Sequence, residues 1–306
     1  MSVGSRGRLG FGTGGLLRID SARARQSVLA AALASGVTHF DTAPIYGLGE
    51  SERALGRFLT GRRSEVTLAT KFGLQPSRLA MRLAPLQRLG RRALRTFPAL
   101  RRAAVRGSGA LYSAPSFDAA AVRASLESSL RSLRTDHVDF FLAHQASSAA
   151  SPGEDVIDLL EDLRRAGKIL EFGVATEFAW LKPLLSERPR LARVVQFDSE
   201  LTTGNIRTIG RGTAHLLITY GFINRSIVAC RERLRDDQEW TARLRGVDDD
   251  ALGGLLLRAG VLANPEGITL MQSRSSERIE RNARAAMTAS NDDLVGQLAA
   301  LVGTAR

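Results

Sequence analysis

Four side chains that can transfer or stabilise protons stand at the ends of short apolar runs. Asp41, Lys71 and His144 each occupy the polar end of such a run, and Tyr46 follows Asp41 across a turn containing proline and glycine. A carboxylate and a phenol five residues apart converge only if the chain turns between them, and this turn chemistry provides that. These residue types therefore point to a shared site for charge-assisted proton transfer, provided that the fold brings the three run ends together.

Short apolar runs alternate with helical patterns along the whole chain. Continuous apolar runs are typical of strands that are buried on both faces and paired in parallel. The predicted strands cover residues 9–14, 37–42, 66–71, 138–143, 172–176, 194–197, 215–220 and 268–272. The predicted helices cover residues 22–35, 49–59, 118–133, 156–166, 180–185, 225–245, 249–262 and 275–289.

Eight strand–helix units in a chain of 306 residues favour an α/β fold, a closed (β/α)8 TIM barrel, over an open doubly wound sheet. A six-stranded open sheet would require two of the predicted strands to be wrong. We expect residues 1–306 to form a single domain. In a barrel the carboxyl ends of all strands surround one mouth, where active sites lie. The side chains expected at that mouth are Asp41, Lys71, His144, Thr176, Gln196 and Tyr220.

The charge of the chain is strongly basic, with a net charge of +12 and a pI near 11.1. Such a balance is typical of nucleic-acid-binding proteins when it is clustered. Here lysine occurs only at positions 71, 168 and 182, and arginine is scattered along the whole sequence. We interpret this as a solvated basic surface and expect no nucleic-acid partner.

The single cysteine and the hydropathy pattern exclude several classes of protein. Cys230 is the only cysteine, so an intrachain disulfide or a cysteine metal cluster cannot form, and we expect no metal site. No apolar run reaches the ~18 residues of a membrane span. The first residues lack the apolar stretch of a signal peptide. We therefore expect a cytoplasmic protein with no membrane partner.

A long insertion at residues 75–117 interrupts the pattern after the third strand. Its middle, residues 78–107, is rich in arginine, leucine and alanine at roughly helical spacing, with Pro85 and Pro98 as breaks. This predicts one or two basic amphipathic helices. Four interpretations stay open: an active-site lid, a dimer contact, a membrane- or phosphate-facing surface, or a helical decoration with a solvated face. The oligomeric state is open as well.

Seven motifs in a fixed order resemble the aldo-keto reductases over residues 8–290. They are residues 9–14 (LGFGTG), 40–52 (FDTAPIYGLGESE), 69–73 (ATKFG), 138–144 (VDFFLAH), 167–176 (GKILEFGVAT), 194–196 (VVQ) and 273–282 (SRSSERIERN). The resemblance implies reduction of a small aldehyde or ketone by NAD(P)H on a (β/α)8 barrel. It also implies that Asp41, Tyr46, Lys71 and His144 form a catalytic tetrad.

The roles implied for the tetrad agree with elementary acid–base chemistry. A phenol with a pKa of ~10 is a poor acid–base catalyst near neutrality. The ammonium of Lys71 favours the phenolate form of Tyr46, and Asp41 holds Lys71 charged and oriented. His144 can donate a hydrogen bond to the substrate oxygen. From these groups we expect Tyr46 to be acidified and to deliver the proton.

The resemblance also assigns residues to the nicotinamide end of the cofactor. Gly12 and Thr13 should line the floor beside the ring, and Tyr220 should stack on it. Thr176 and Gln196 should hydrogen-bond the carboxamide, with Thr176 in place of a common asparagine. The simpler interpretation of Gln196 is an amide satisfied within the barrel.

At the other end of the cofactor, the eighth predicted strand runs directly into a helix, and a helix N-terminus is a ready anion site. A lysine common in the family is Gln272 here. Arg274 can substitute for it, so we expect NADPH, with NADH as the alternative. The residues that match the nucleotide-binding positions are Gly221, Ile223, Ser273, Arg274, Arg278 and Asn282.

Two other functions stay open beside the reductase. The family also includes channel-associated proteins, so the chain could be a nucleotide-sensing binding subunit with little turnover. Alternatively, residues 78–106 could bind nucleic acid or a membrane. His39, His137 and His215 have no catalytic neighbours in the sequence, and we interpret them as structural or surface residues.

Overall fold

The eight predicted strands form one closed barrel, with every neighbouring pair parallel and in chain order. A computed structural model describes residues 9–76, 115–201, 203–209, 216–236, 238–243, 249–288 and 292–303. The predicted (β/α)8 TIM barrel is thereby confirmed. The strands are β1 Leu9–Gly12, β2 His39–Asp41, β3 Thr67–Phe72, β4 Val138–His144, β5 Ile169–Ala175, β6 Val194–Asp198, β7 Leu216–Tyr220 and β8 Ile268–Met271.

Helices follow most strands and cover the outside of the barrel. The α-helices among the described residues are α1 Ala22–Ala34, α2 Glu50–Leu59, α3 Ala119–Leu133, α4 Glu154–Arg165, α5 Phe178–Glu187, α6 Asn205–Thr208, α7 Asn224–Asp236, α8 Gln238–Arg243, α9 Asp249–Ala263, α10 Ser276–Met287 and α11 Asp292–Gly303. Short 3-10 turns lie at Leu16–Arg18, Arg63–Glu65 and Pro189–Leu191.

The helix starts show how local sequence sets these boundaries. The side chain of Ser21 accepts a hydrogen bond from Ala24 N at 2.9 Å, and that of Asp118 accepts one from Ala121 N at 2.9 Å. Each bond satisfies a backbone N–H that has no partner in the first helical turn. The helix predicted for residues 118–133 is confirmed, with Asp118 as its N-cap.

Strand ends differ from the predicted ones where burial is uneven. The fifth strand starts at Ile169, three residues before the predicted start at 172. The prediction was late because the exposed Leu170 and the half-buried Glu171 interrupt the buried pattern that marks a strand. The second strand is shorter than the predicted 37–42, since Val37 N donates to Ala32 O and completes the end of α1. The carboxyl end of each strand nevertheless lies within two residues of its predicted position.

Three helical features differ from the predictions. In the connection predicted as two helices, 225–245 and 249–262, the described residues form α7, α8 and α9. Between the strands predicted at 194–197 and 215–220 no helix was predicted, but α6 forms one turn there. The helix α11 was not predicted. Its residues Val295 and Leu298 pack with Leu252 and Leu256 of α9. The apolar residues of this segment therefore form the buried face of a helix.

Strand register assigns one face of each strand to the barrel interior. Asp41 pairs with Ala69, Lys71 with Leu142, and Gln196 with Ile218. Side chains alternate between faces with period two, so all of these residues point inwards. Below them the interior is filled by apolar side chains: Ala69, Phe140, Leu142, Ala175, Val194, Leu216, Ile218, Ile268 and Leu270.

Gly173 shows why the interior requires specific residue sizes. It lies on the inner face of β5, and a Cβ at this position would overlap the backbone carbonyl of Val194 on β6. A larger residue would therefore push two neighbouring strands apart. The opposite faces of the strands pack against the helices in a larger apolar layer that includes Phe40, Phe72 and Phe141.

Residues 77–114, which hold most of the predicted basic insertion 75–117, lie outside the described residues, as does His215. No helix within the described part of the chain combines the length and hydropathy needed to cross a membrane.

Candidate active site

A buried ion pair occupies the centre of the barrel mouth. Lys71 Nζ lies 2.7 Å from both Oδ1 and Oδ2 of Asp41 and donates to Thr42 O at 2.9 Å. Asp41 and Lys71 are 3% and 2% exposed. Burial lowers the pKa of Lys71, but the Asp41 carboxylate and the Tyr46 hydroxyl raise it more, and the net pKa lies above the ordinary value. Lys71 is therefore a fixed ammonium.

Gln196 extends this pair across the mouth. Its Nε2 donates to Asp41 Oδ2 at 3.0 Å, and its Oε1 is buried with no hydrogen-bond partner among the described residues. A buried amide oxygen without a partner costs about 1–3 kcal/mol. The Gln196 side chain lines the cleft, so Oε1 is available as an acceptor for a ligand.

Tyr46 stands beside Lys71, with the ammonium 5.2 Å from the ring centre. Burial raises the pKa of Tyr46, the charge and hydrogen bonding of Lys71 lower it, Asp41 raises it, and the pKa ends above its ordinary value. The expectation of an acidified phenol was wrong for this structure because it considered the neighbouring charge and left out desolvation. Tyr46 consequently keeps its proton at neutral pH.

His144 faces Tyr46 edge-on, with the ring centres 6.2 Å apart and the planes at 86°. Burial, with a smaller effect of the Lys71 charge, lowers the pKa of His144 to about 3. The imidazole is therefore neutral and carries one N–H donor. Its Nδ1 is buried and has no hydrogen-bond partner among the described residues.

Asp41, Tyr46, Lys71 and His144 line one cleft of about 430 Å³. That volume is in the range of small-molecule sites in proteins. Its described lining consists of Gly12, Gly14, Asp41, Tyr46, Lys71, His144, Gln145, Ala175, Thr176, Glu177, Gln196, Tyr220, Gly221, Phe222, Ile223, Leu270, Met271 and Gln272. Ten of the fifteen site residues named from the sequence are among them.

Thr13 and Thr176 are both buried, but they play different parts. Thr13 does not line the cleft; its hydroxyl donates to Asp41 O at 3.0 Å, which ties β1 to β2 beneath the ion pair. Thr176 does line it, and its hydroxyl donates to Ala146 O at 2.6 Å. Because that proton is committed, Thr176 can only accept a hydrogen bond from a ligand.

Of the residues expected at the nucleotide end, Gly221 and Ile223 belong to the cleft lining, whereas the other four lie outside it. Arg274 and Arg278 are exposed at the start of α10, where Ser275 caps the helix by accepting from Arg278 N at 3.2 Å. Ser273 is half-buried, and its Oγ donates to Ser275 O at 3.3 Å. Asn282 is 4% exposed, and its Oδ1 has no partner among the described residues.

Several lining residues were not named from the sequence. Gln145 and Glu177 directly follow His144 and Thr176 at the ends of β4 and β5. The available signal was position, because residues just past a barrel strand face the mouth. Phe222, Leu270 and Met271 supply apolar surface, and nothing in their types distinguishes them from core residues.

Curated proteins resemble part of this chain. An aldo-keto reductase of Schizosaccharomyces pombe, yakc [NADP(+)], is 29% identical over 172 residues, which are 55% of this chain and 42% of that protein. A 6-dehydroglucose reductase of Agrobacterium fabrum is 26% identical over 79% of this chain and 69% of its own length. The chain thus spans less than half the length of the first curated relatives it matches.

Solved structures match the fold over nearly the whole chain. The aldo-keto reductase AKR11C1 from Bacillus halodurans has a TM-score of 0.68 and 19% identity, covering 97% of this chain and 95% of its own. An aldo/keto reductase from Klebsiella pneumoniae in complex with NADP and acetate has a TM-score of 0.63 and 21% identity, covering 98% and 93%. At these identities the likeness concerns the fold alone.

The model of the aldo/keto reductase family matches residues 8–182. This stretch carries β1 to β5 and, with them, the carboxylate, phenol, ammonium and imidazole of the cleft. Family match, barrel topology and cleft position agree. The chain belongs to the aldo/keto reductase family, a family of oxidoreductases.

Proposed function

We propose that this protein reduces an aldehyde or ketone to the alcohol, using a nicotinamide cofactor. The observation that carries the proposal is the convergence of Tyr46, Lys71, Asp41 and His144 in one cleft at the barrel mouth. Carbonyl reduction needs a hydride at carbon and a proton at oxygen. The cleft holds a protonated phenol and a neutral imidazole side by side, which are suitable donors toward one oxygen atom.

In this proposal Tyr46 is the proton donor. Its raised pKa keeps the proton on the phenol until the carbonyl oxygen gains negative charge. The phenolate that then forms faces the Lys71 ammonium, which stabilises it by direct charge attraction. Asp41 positions that ammonium through two contacts of 2.7 Å.

His144 orients the carbonyl oxygen in the same proposal. Its pKa of about 3 keeps the ring neutral above that pH, so it donates a hydrogen bond and does not compete as an acid. A fixed donor aimed at developing negative charge lowers the barrier without reorganisation.

Several features of the cleft fit a nicotinamide cofactor. The unpartnered Oε1 of Gln196 and the acceptor oxygen of Thr176 could both receive hydrogen bonds from the carboxamide N–H2. Tyr220 offers a ring, and Gly12 and Gly14 line the floor without side chains of their own. When bound, NADPH would supply the hydride.

Toward the nucleotide end, we propose that Gly221 and Ile223 contact the pyrophosphate and that Ser273, Arg274, Arg278 and Asn282 hold the adenosine phosphate and adenine. Gly253 of α9, which has no side chain, lies next to Ile223 and to the unpartnered Oδ1 of Asn282, and this supports the assignment for adenine. We propose NADPH over NADH because Arg274 is an exposed cation at the start of α10. The yakc relative carries NADP(+) in its name.

We also propose that residues 1–306 form one domain that acts on small-molecule carbonyl compounds. Strands from Leu9 to Met271 contribute to the same barrel, and this supports a single folding unit around the cleft.

The test is turnover of NADPH carrying deuterium in the transferable position, with a panel of aldehydes and ketones. We expect absorbance loss at the reduced-nicotinamide band and one deuterium on the former carbonyl carbon of the product. Tight NADPH binding with no turnover of any carbonyl compound in the panel would contradict the proposal and favour the nucleotide-sensing subunit. A substitution of Arg274 by alanine should weaken NADPH binding far more than NADH binding.

A further inference from the structure

Glu177 is a carboxylate at the rim of the cleft that has no part in the proposed chemistry. The residue follows Thr176 at the end of β5 and precedes α5, which begins at Phe178. Its side chain is exposed and lines the cleft. It occupies the N-cap position of α5 but makes no capping hydrogen bond.

Asp198, and not Glu177, supplies the side-chain acceptor at the start of α5. The Oδ1 atom of Asp198, at the end of β6, accepts a hydrogen bond from Phe178 N at 2.7 Å. This bond satisfies the first free N–H of α5. Within the described part of the chain, no residue forms a hydrogen bond or an ion pair with the Glu177 carboxylate.

The charges that line the cleft leave Glu177 uncompensated. Asp41 and Lys71 contact each other at 2.7 Å and neutralise each other, and His144 is neutral because its pKa is about 3. The described lining therefore carries one net negative charge, although the whole chain carries +12. The charge that the described lining presents to a ligand is thus opposite in sign to the net charge of the chain.

Gln145 lies beside Glu177 on the neighbouring strand end. Its backbone N donates to Ala175 O at 2.7 Å, which joins the ends of β4 and β5. Its φ of 56° is left-handed, a conformation that costs a residue with a Cβ on the order of 1–3 kcal/mol. This backbone places the exposed Gln145 side chain in the cleft lining, next to His144.

We propose that Glu177 sets substrate specificity, favouring carbonyl compounds that carry hydroxyl donors or a positive charge and disfavouring those that carry a carboxylate. The inference rests on the proposed reductase function. A carboxylate accepts strong hydrogen bonds from hydroxyl and ammonium groups, and it repels a second carboxylate. Gln145 supplies both a donor and an acceptor, so it orients polar groups without selecting their charge.

The expected size of the effect follows from solvent screening. Charges several Å apart at an exposed rim interact through a dielectric close to that of water, which corresponds to about a threefold change in affinity. The sign is opposite for a cation and an anion, so the ratio between them should change about tenfold. The effect should weaken at high salt, since the Debye length falls to about 3 Å at 1 M ionic strength.

The test compares kcat/KM for aldehydes of matched shape in the wild type and in Glu177→Gln. The cation is betaine aldehyde, and its neutral isostere is 3,3-dimethylbutanal. Succinic semialdehyde is the anion, and glyceraldehyde against propanal probes the hydroxyl donors. Glu187→Gln, at the far end of the same helix, removes an equal charge from an exposed position outside the cleft.

In Glu177→Gln we expect a loss of about threefold for the cation, a gain of about threefold for the anion and little change for the isostere. Glyceraldehyde should lose ground to propanal if hydroxyl donors are recognised, whereas changes confined to betaine aldehyde and succinic semialdehyde would identify charge alone. Equal shifts in Glu187→Gln, or a ratio that neither Glu177→Gln nor salt alters, would overturn the proposal. Inactivity of the wild type on all five compounds would overturn the reductase function with it.

Discussion

Substituting both Asp41 and Lys71 should destabilise the fold far less than the sum of the two single substitutions. The substitutions are Asp41→Leu and Lys71→Met, which roughly preserve side-chain volume. After Asp41→Leu, the ammonium keeps Thr42 O at 2.9 Å but loses both carboxylate contacts. After Lys71→Met, the carboxylate keeps the Gln196 amide at 3.0 Å as its side-chain donor.

The magnitude follows from burial. Both side chains are at most 4% exposed, so each single substitution leaves a charge in the protein interior. Breaking such a pair by removing one partner costs about 3–5 kcal/mol. The double substitution leaves no unpaired charge, so its cost should be close to that of one single substitution. The coupling free energy between the two positions should therefore be at least about 2 kcal/mol.

The assay is urea denaturation of the four proteins, followed by circular dichroism at neutral pH. Arg190 and Asp158 provide a matched control, since their contact of 3.0 Å lies on the surface, and their cycle should show no measurable coupling. Additive effects at Asp41 and Lys71 would refute the reasoning, because they would mean that the two charges are not mutually dependent in the folded state.

Three further predictions concern buried groups. Burial raises the pKa of Glu52, although a 2.7 Å hydrogen bond from Thr70 opposes the shift. Its stabilising contribution is complete below the unfolded pKa of about 4.3 and is lost as pH rises through the folded pKa. The stability of Glu52→Gln relative to the wild type should therefore increase as the pH is raised above about 4.3 in urea denaturation, and a difference that does not depend on pH would contradict the shift. Burial and, to a smaller extent, the Lys71 charge lower the pKa of His39 to about 3. The unfolded state therefore binds more protons, and the free energy of unfolding should fall as the pH is lowered from about 6.5. His39→Gln should reduce this pH dependence, and an unchanged pH dependence would contradict the assignment. Gly173→Ala should lower the yield of folded protein, measured by size-exclusion chromatography, because a Cβ there overlaps the Val194 backbone; a fully stable variant would show that β5 and β6 can separate.

The barrel could be predicted because its signals are strong and local. Continuous apolar runs such as the one ending at Lys71 mark strands buried on both faces. Helix starts such as Asp118 carry their own capping chemistry. The position of the tetrad then follows from topology, since parallel strands in a barrel share one mouth. The short helix α6 was missed because a four-residue turn has no periodicity to detect.

The electrostatics of the site depend on the folded environment and could not be predicted. The pKa of Tyr46 is raised because the effect of burial is larger than the opposing effect of the Lys71 ammonium. Segments that are distant in the sequence cause this burial, so the residues around position 46 do not predict it. The side-chain acceptor at the start of α5 is Asp198, 21 residues further along the chain than Glu177 at the N-cap position. This choice of partner exists only in three dimensions.

Single-turnover reduction by Tyr46→Phe tests the central claim most directly. Tyr46→Phe removes one hydroxyl and retains the ring that packs near His144. We expect NADPH affinity, measured by fluorescence, to stay within about twofold, and the rate of aldehyde reduction to fall about 10²–10⁴-fold. Wild-type rates in Tyr46→Phe, with NADPH bound and hydride transferred, would contradict the assignment of Tyr46 as the proton donor.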